Sequence, residues 1–264
     1  MVPPQQRTTR LDVAVAERSG VTRSHARSLI MAGRVRVEGR TVTKPGTSIA
    51  LDAKVDVVRP RPFVSRGGEK LEAALDAFSL DVRGMQALDV GASTGGFTDC
   101  LLRGGAAHVV ALDVGYGQLA WSLREDARVT VVERTNFRKL PDDAFPSGFD
   151  VIVVDASFIS LRTILRRAVT YLREGGVIVA LLKPQFEAGR ERIRRGVVRD
   201  AETHRAILHE FHDSLEQLGL GIAGALRSPL RGPAGNIEFL LELQRGPHRF
   251  DTDLLDGLVQ GANA

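Results

Sequence analysis

From residue 87 onward, short continuous runs of apolar residues alternate with stretches in which apolar positions recur every three to four residues. The runs at 87–90, 109–114, 129–133, 151–155 and 177–182 predict strands. Val151-Ile152-Val153-Val154 has the unbroken apolar character of a parallel strand covered on both faces. Ahead of the last run, Leu161, Ile164, Leu165, Ala168, Val169 and Leu172 form a helical stripe, and Leu71, Ala74, Leu75 and Phe78 form another after Gly67-Gly68. Alternation of this kind predicts an α/β domain with a mostly parallel, doubly wound sheet. The chain closes differently. Strand-like stretches at 221–226 and 237–243, separated by Pro229 and Gly232-Pro233-Ala234-Gly235, predict an antiparallel pair at the sheet's edge.

The first quarter of the chain has another pattern. Residues 11–16 begin a short amphipathic helix that stops at Ser19-Gly20. Thr22 is placed to cap a second helix over 23–32, ended by Gly33. Short alternating strands are expected at 35–37, 41–43 and 54–58. Arg59-Pro60-Arg61-Pro62 then reads as a stiff spacer. The expected organisation is a small α+β domain over 1–58, a linker over 59–63 and the α/β domain over 64–264.

Composition adds bounds. With 264 residues, 43% hydrophobic and 26% charged, the chain is an ordinary globular one. No run approaches the roughly 18 apolar residues of a membrane span, and the first residues lack a signal peptide's apolar region. One cysteine, Cys100, excludes an internal disulfide and leaves too little sulfur for a structural zinc site; a reducing cytoplasm and no metal are expected. Through Pro62 there are 12 Lys/Arg against 5 Asp/Glu, and beyond it 24 against 27, so the excess basicity is confined to the first quarter of the chain, the small domain and its linker. That is the distribution of an appended nucleic-acid-binding module.

Candidate chemistry centres on Leu88-Asp89-Val90-Gly91-Ala92-Ser93-Thr94-Gly95-Gly96-Phe97-Thr98, a glycine-rich turn between a strand and a helix. Small residues there let backbone N–H groups approach a ligand, and Asp113, ending the next strand, stands where such folds grip ribose hydroxyls. Three chemistries fit the turn. Gly91-Ala92-Ser93-Thr94-Gly95 matches a hydrolase nucleophile elbow, with Asp155 and His204, His209 or His212 following in order, but the elbow belongs after several earlier strands. A nicotinamide enzyme wants glycine where Ser93 stands. A methyltransferase using S-adenosylmethionine needs only a small-residue turn, with Asp89 facing the site and Asn136 beside the adenine. His209 and His212 read as a helix surface, and Trp121 as packing with Leu119 and Leu123. The arginines at 190, 192, 194 and 195 are a candidate RNA contact.

Polar residues far from the turn choose among the three. Asp155 and Lys183 end two later strands, Lys70 lies on the opening helix and Glu238 in the last strand. This Lys–Asp–Lys–Glu set resembles that of the heat-shock-type ribose 2′-O-methyltransferases. The N-terminal stretches Arg10-Leu11-Asp12, Ser24-His25-Ala26-Arg27-Ser28-Leu29-Ile30, Gly33-Arg34-Val35-Arg36-Val37-Glu38-Gly39 and Val42-Thr43-Lys44-Pro45-Gly46 resemble the S-four-type RNA-binding domain. With Val64-Ser65-Arg66-Gly67-Gly68-Glu69-Lys70-Leu71, Val154-Asp155-Ala156-Ser157-Phe158, Leu182-Lys183-Pro184-Gln185-Phe186-Glu187 and Gly235-Asn236-Ile237-Glu238-Phe239, the whole chain is similar to the TlyA-type (haemolysin A) ribosomal RNA methyltransferases. Pro62 and Phe63 depart from that family's pattern.

The resemblance implies methyl transfer from S-adenosylmethionine to cytidine 2′-hydroxyls of 16S and 23S ribosomal RNA, by a monomer acting on ribosomal subunits with no membrane partner. Lys183 would be the general base, its pKa lowered beside a second lysine, with Asp155, Lys70 and Glu238 orienting it and the ribose. The cofactor would meet Asp89, Gly91, Ser93, Gly95, Gly96, Phe97, Asp113, Asn136, Asp155 and Phe158. RNA would meet Arg10, Arg23, Arg27, Arg34, Arg36 and Lys44. A pore is not expected, since neither spanning helices nor a barrel of alternating strands can be drawn.

Overall fold

A computed structural model describes residues 7–57, 62–189, 193 and 196–260, and its contacts divide the chain into two units, Met1–Arg61 and Pro62–Ala264. Of the expected linker, 59–61 lie outside the described residues, as do the arginines at 190, 192, 194 and 195. Phe63 is buried in the second unit, under the Arg103 guanidinium, and the neighbouring Val64 N–H donates to Asp99 at 2.9 Å.

In the first unit β1 (Thr8–Arg10) pairs antiparallel with β4 (Ser48–Ala50), and β2 (Val35–Val37) lies between β3 (Arg40–Thr41) and β5 (Val55–Val57). Two helices, α1 (Leu11–Ser19) and α2 (Arg23–Met31), bury Leu11, Ala14, Val15, Ala26 and Ile30 against Val35 and Ile49. Gly20 ends α1 at φ +64°, and the Thr22 hydroxyl caps α2 by accepting from the His25 N–H. The second expected strand is shorter than the 41–43 read from the sequence, and the β1–β4 pair was not expected at all.

The second unit opens with α3 (Gly67–Ala77) and then alternates: β6 (Gln86–Val90), α4 (Gly96–Arg103), β7 (His108–Leu112), α5 (Trp121–Arg124), β8 (Val129–Val132), β9 (Phe149–Val154), α6 (Leu161–Tyr171) and β10 (Leu172–Leu182). After α7 (Pro184–Glu187) and α8 (Ala201–Leu215), β11 (Leu220–Arg227) and β12 (Phe239–Arg245) precede α9 (Thr252–Val259). The seven strands lie in the order β11-β12-β10-β9-β6-β7-β8, parallel except for β12, which runs antiparallel to both neighbours. The antiparallel closing pair read from the sequence is this one.

Period-two alternation divides the core. Leu88, Val90, Ile152, Val154, Ile178 and Ala180 face α6 and α8, while Ala87, Val151, Val153, Val177 and Val179 face α3 and α4. The starts of α3 and α4 meet almost backbone to backbone. A Cβ on Gly96 would stand 2.9 Å from the Gly68 nitrogen and 3.1 Å from the Gly67 Cα. Trp121 corrects an expectation: it is 71% exposed, because the single turn of α5 directs Leu123 into the core and its first residue outward.

Candidate active site

The chain builds β6, β7 and β8 to one side and then returns to place β9 and β10 on the other, so β6 and β9 flank the switch point where open α/β sheets bind ligands. Gly91 leaves β6 at φ +89°, and a Cβ there would lie 2.7 Å from the Asp155 carbonyl oxygen. Only glycine allows these two strand ends so close. Beside them opens a cavity of about 500 Å³ whose wall includes Gly91, Ser93, Asp113, Gln118, Asn136, Phe137, Asp155 and Phe158.

One end of this cavity is polar and braced. The Asp113 carboxylate accepts the Ser93 N–H at 2.8 Å and the Gly115 N–H at 2.6 Å, which fixes the glycine turn, and the Ser93 hydroxyl donates to Gln118. No histidine is among the hydrogen-bond partners of Ser93 in the described residues, and His204 is buried on α8 with its Nδ1 against the Asp200 carbonyl, so the elbow chemistry has no base. Leu112, Val114, Ile159 and Ile164 supply apolar wall. A carboxylate and an amide at a strand edge beside an apolar slot suit a nucleoside, and the open cradle over Gly91 and Ser93 leaves space for its substituent.

Four residues expected at the cofactor lie elsewhere. Asp89 points to the α3/α4 face, where its Oδ2 accepts from the Thr98 hydroxyl at 2.6 Å and its Oδ1 has no hydrogen-bond partner among the described residues. Burial pushes its carboxyl up to about 7, the Thr98 hydrogen bond only partly offsetting this. Gly95 and Gly96 are packed against Leu123 and against the start of α3, and Phe97 is buried beside Gly67. Phe158 does line the cavity but projects outward, 91% exposed, at φ +64° and 5.2 Å from the Phe186 ring.

The Lys–Asp–Lys–Glu set forms two ion pairs. Strand register opposes Leu182 to Phe239, so the next residues along, Lys183 and Glu238, emerge together at the carboxyl edge of the parallel strands. Lys70, in the first turn of α3, donates to Glu238 Oε2 at 2.5 Å with both groups buried. Lys183 Nζ lies 2.6 Å from Asp155 Oδ1 and donates to Ser157 Oγ at 2.8 Å. Each lysine is thus held by a carboxylate, where the sequence reading had one lysine acting on the other. Asp155 does not cap the following helix. That role falls to Glu187, whose buried carboxylate accepts the Leu161 N–H at 2.6 Å and the Ser160 hydroxyl at 2.7 Å. Burial raises the Glu187 carboxyl above the ordinary range. Gln118, Ser157, Phe186 and Glu187 were not singled out from sequence; their placement depends on loops that only the fold brings together.

In the first unit Arg10 Nε and Nη2 donate to Asp12 at 3.0 and 3.2 Å, and Arg23 Nε donates at 3.1 Å. Arg10 foremost, with Arg23, holds the fully buried Asp12 carboxyl down at about 2. Both arginines keep exposed edges; Arg27, Arg36 and Lys44 are exposed and Arg34 is half-buried.

Residues 63–245 match the FtsJ-like methyltransferase model and residues 9–53 the S4 domain model. Over 243 residues the chain is 46% identical to the Mycobacterium tuberculosis 16S/23S rRNA (cytidine-2′-O)-methyltransferase TlyA, covering 90% of each protein. It is 41% identical to Hemolysin A of Brachyspira hyodysenteriae, covering 83% of this chain and 92% of that one. A solved structure of a Streptococcus thermophilus protein described as a hemolysin superposes with a TM-score of 0.76 at 40% identity, over 97% of this chain and 96% of that one. No helix among the described residues is long and apolar enough to cross a membrane. The two matched domains, the doubly wound sheet with its antiparallel closing strand and the similarity along nearly the full length agree: the chain belongs to the FtsJ-like methyltransferase family, in the TlyA branch that carries an S4 domain.

Proposed function

We propose that this methyltransferase uses S-adenosylmethionine to methylate the ribose 2′-hydroxyl of cytidine in 16S and 23S ribosomal RNA, the substrate named for its mycobacterial relative. The observation that carries this reading is the pair of ion pairs, Lys183–Asp155 and Lys70–Glu238, at the strand edge beside a nucleoside-sized cavity. When bound, the cofactor supplies an electrophilic methyl carbon on a sulfonium. Asp113 and Asn136 would hold its nucleoside, and the Gly91–Ser93 turn its amino-acid part. Gly95, Gly96, Phe97 and Asp89 would act one layer behind, by fixing α4 against the turn.

A ribose hydroxyl is a weak acid, so its proton must leave as the oxygen becomes a nucleophile. Lys183 Nζ, once it has released to solvent the proton it carries in the ion pair, takes the hydroxyl proton on its lone pair, and Asp155 Oδ1 holds the resulting ammonium. Lys70, kept rigid by Glu238, flanks the ribose. Phe158 and Phe186 offer ring faces to the target base, which accounts for a bulky residue held exposed in the left-handed region. Residues 1–58 would serve as an RNA clamp joined through 59–63 to the catalytic domain at 64–264. Arg27, Arg36 and Lys44 are exposed for phosphate contact, and Arg10, Arg23 and Arg34 contribute their exposed edges. This reading expects the protein to act in the cytoplasm, where ribosomal subunits are, and as a monomer.

Lys183→Ala tests the assignment. Transfer to ribosomal subunits should fall by about 10²–10⁴-fold while cofactor affinity, measured by calorimetry, stays within about threefold. A variant that methylates at the normal rate removes Lys183 from the mechanism.

A further inference from the structure

Lys183 Nζ is held from two sides by one loop: Asp155 Oδ1 at 2.6 Å and Ser157 Oγ at 2.8 Å. With one N–H on Asp155 alone, the neutral amine could still place its lone pair in either of the two remaining tetrahedral directions. A second partner removes that freedom and fixes where the remaining direction points. A hydroxyl suits the task in both protonation states, since it accepts from an N–H of the ammonium and equally from one of the neutral amine. The loop is fastened at its far end too, where the Ser160 hydroxyl and Leu161 N–H donate to the buried Glu187 carboxylate four residues beyond Lys183.

We propose that Ser157 is a positioning residue for the methyl transfer, which with Asp155 aims the third direction of Lys183 Nζ at the ribose hydroxyl. The proposal rests on the methyltransferase reading of this site. Ser157 lines the cavity wall on the same side as Asp155 and is itself exposed, so its replacement leaves the core untouched. Orientation is worth much in rate and little in binding, because misalignment of a reacting group by a fraction of an ångström to an ångström costs one to two orders of magnitude.

The test compares Ser157→Ala and Ser157→Thr in the full-length protein. In Ser157→Ala, kcat should fall by about 10–100-fold with KM for cofactor and RNA unchanged, and Ser157→Thr, which keeps the hydroxyl, should return to within about threefold of the parent. A second readout needs no turnover. In protein carrying ¹⁵Nζ-labelled lysine, the Lys183 side-chain nitrogen should lose order in Ser157→Ala and keep it in Ser157→Thr. Parental kcat in Ser157→Ala, failure of threonine to rescue, or unchanged Lys183 order would each overturn the proposal. If the parent protein itself methylates no ribosomal RNA, the methyltransferase reading of the site fails, and the nitrogen order still decides whether Ser157 positions Lys183.

Discussion

Asp89 sits in an environment far from what its side chain prefers. It is fully buried on β6, satisfied at one oxygen by Thr98 and without a hydrogen-bond partner among the described residues at the other, and its carboxyl rises to about 7. The sign of the consequence is fixed by linkage. In the fold this carboxyl stays protonated to near neutrality, whereas in the unfolded chain it ionises in the ordinary carboxylate range. Its contribution to stability is therefore full below that range and is lost as pH rises towards 7. Asp89→Asn keeps an acceptor for Thr98 and removes the titration, so its melting temperature should gain on that of the parent between pH 5 and pH 8. Parallel melting curves across that interval would contradict a raised carboxyl. Asp89 was read as facing the cofactor because it ends a strand. Alternation along the strand puts Asp89 on the same side as Ala87, which faces α3 and α4, and that alternation was legible. The Lys–Asp–Lys–Glu set was legible as residue types at strand ends, but its division into Lys70–Glu238 and Lys183–Asp155 was not. That division depends on β12 lying between β10 and β11, a matter of strand order that no local pattern carries.

Strands and helices of the larger unit were legible because buried parallel strands and amphipathic helices have distinct periods, and each predicted strand from 87 onward is present. What failed was short or context-made. Thr8-Thr9-Arg10 carries no alternation and becomes β1 only by pairing with Ser48–Ala50. Trp121 looked like core because large aromatics usually are, but a one-turn helix has only one buried side. One glycine pair departs from its expected place in a physically instructive way. Gly95-Gly96 reads as ligand-binding when seen beside a strand, yet in three dimensions Gly96 is where α4 meets the start of α3. Gly96→Ala should therefore cost stability, about 1–3 kcal/mol by urea denaturation, because behind the Ser65 hydroxyl the next neighbours, the Gly68 nitrogen and Gly67 Cα, are backbone and cannot swing aside. Unchanged stability with weakened cofactor binding would return Gly96 to the cofactor wall.

The two units divide the work that charge and sheet topology had already separated. Excess basicity lies in the first, where Asp12 binds Arg10 and Arg23 together and Arg27, Arg36 and Lys44 are exposed. The second holds the cavity and both ion pairs. Neither alone would specify the reaction proposed: a glycine turn beside a cavity marks a place for a cofactor, and a basic surface marks affinity for nucleic acid. The chemistry rests on lysines that can take a hydroxyl proton, and so on the position at which the methyl group arrives. The direct measurement is to incubate purified ribosomal subunits lacking the modification with the protein and methyl-labelled S-adenosylmethionine, then digest the RNA and locate the label. Label on the ribose 2′-oxygen of cytidine is the result predicted; label on a base, on ribosomal protein alone, or on no component of either subunit would contradict it.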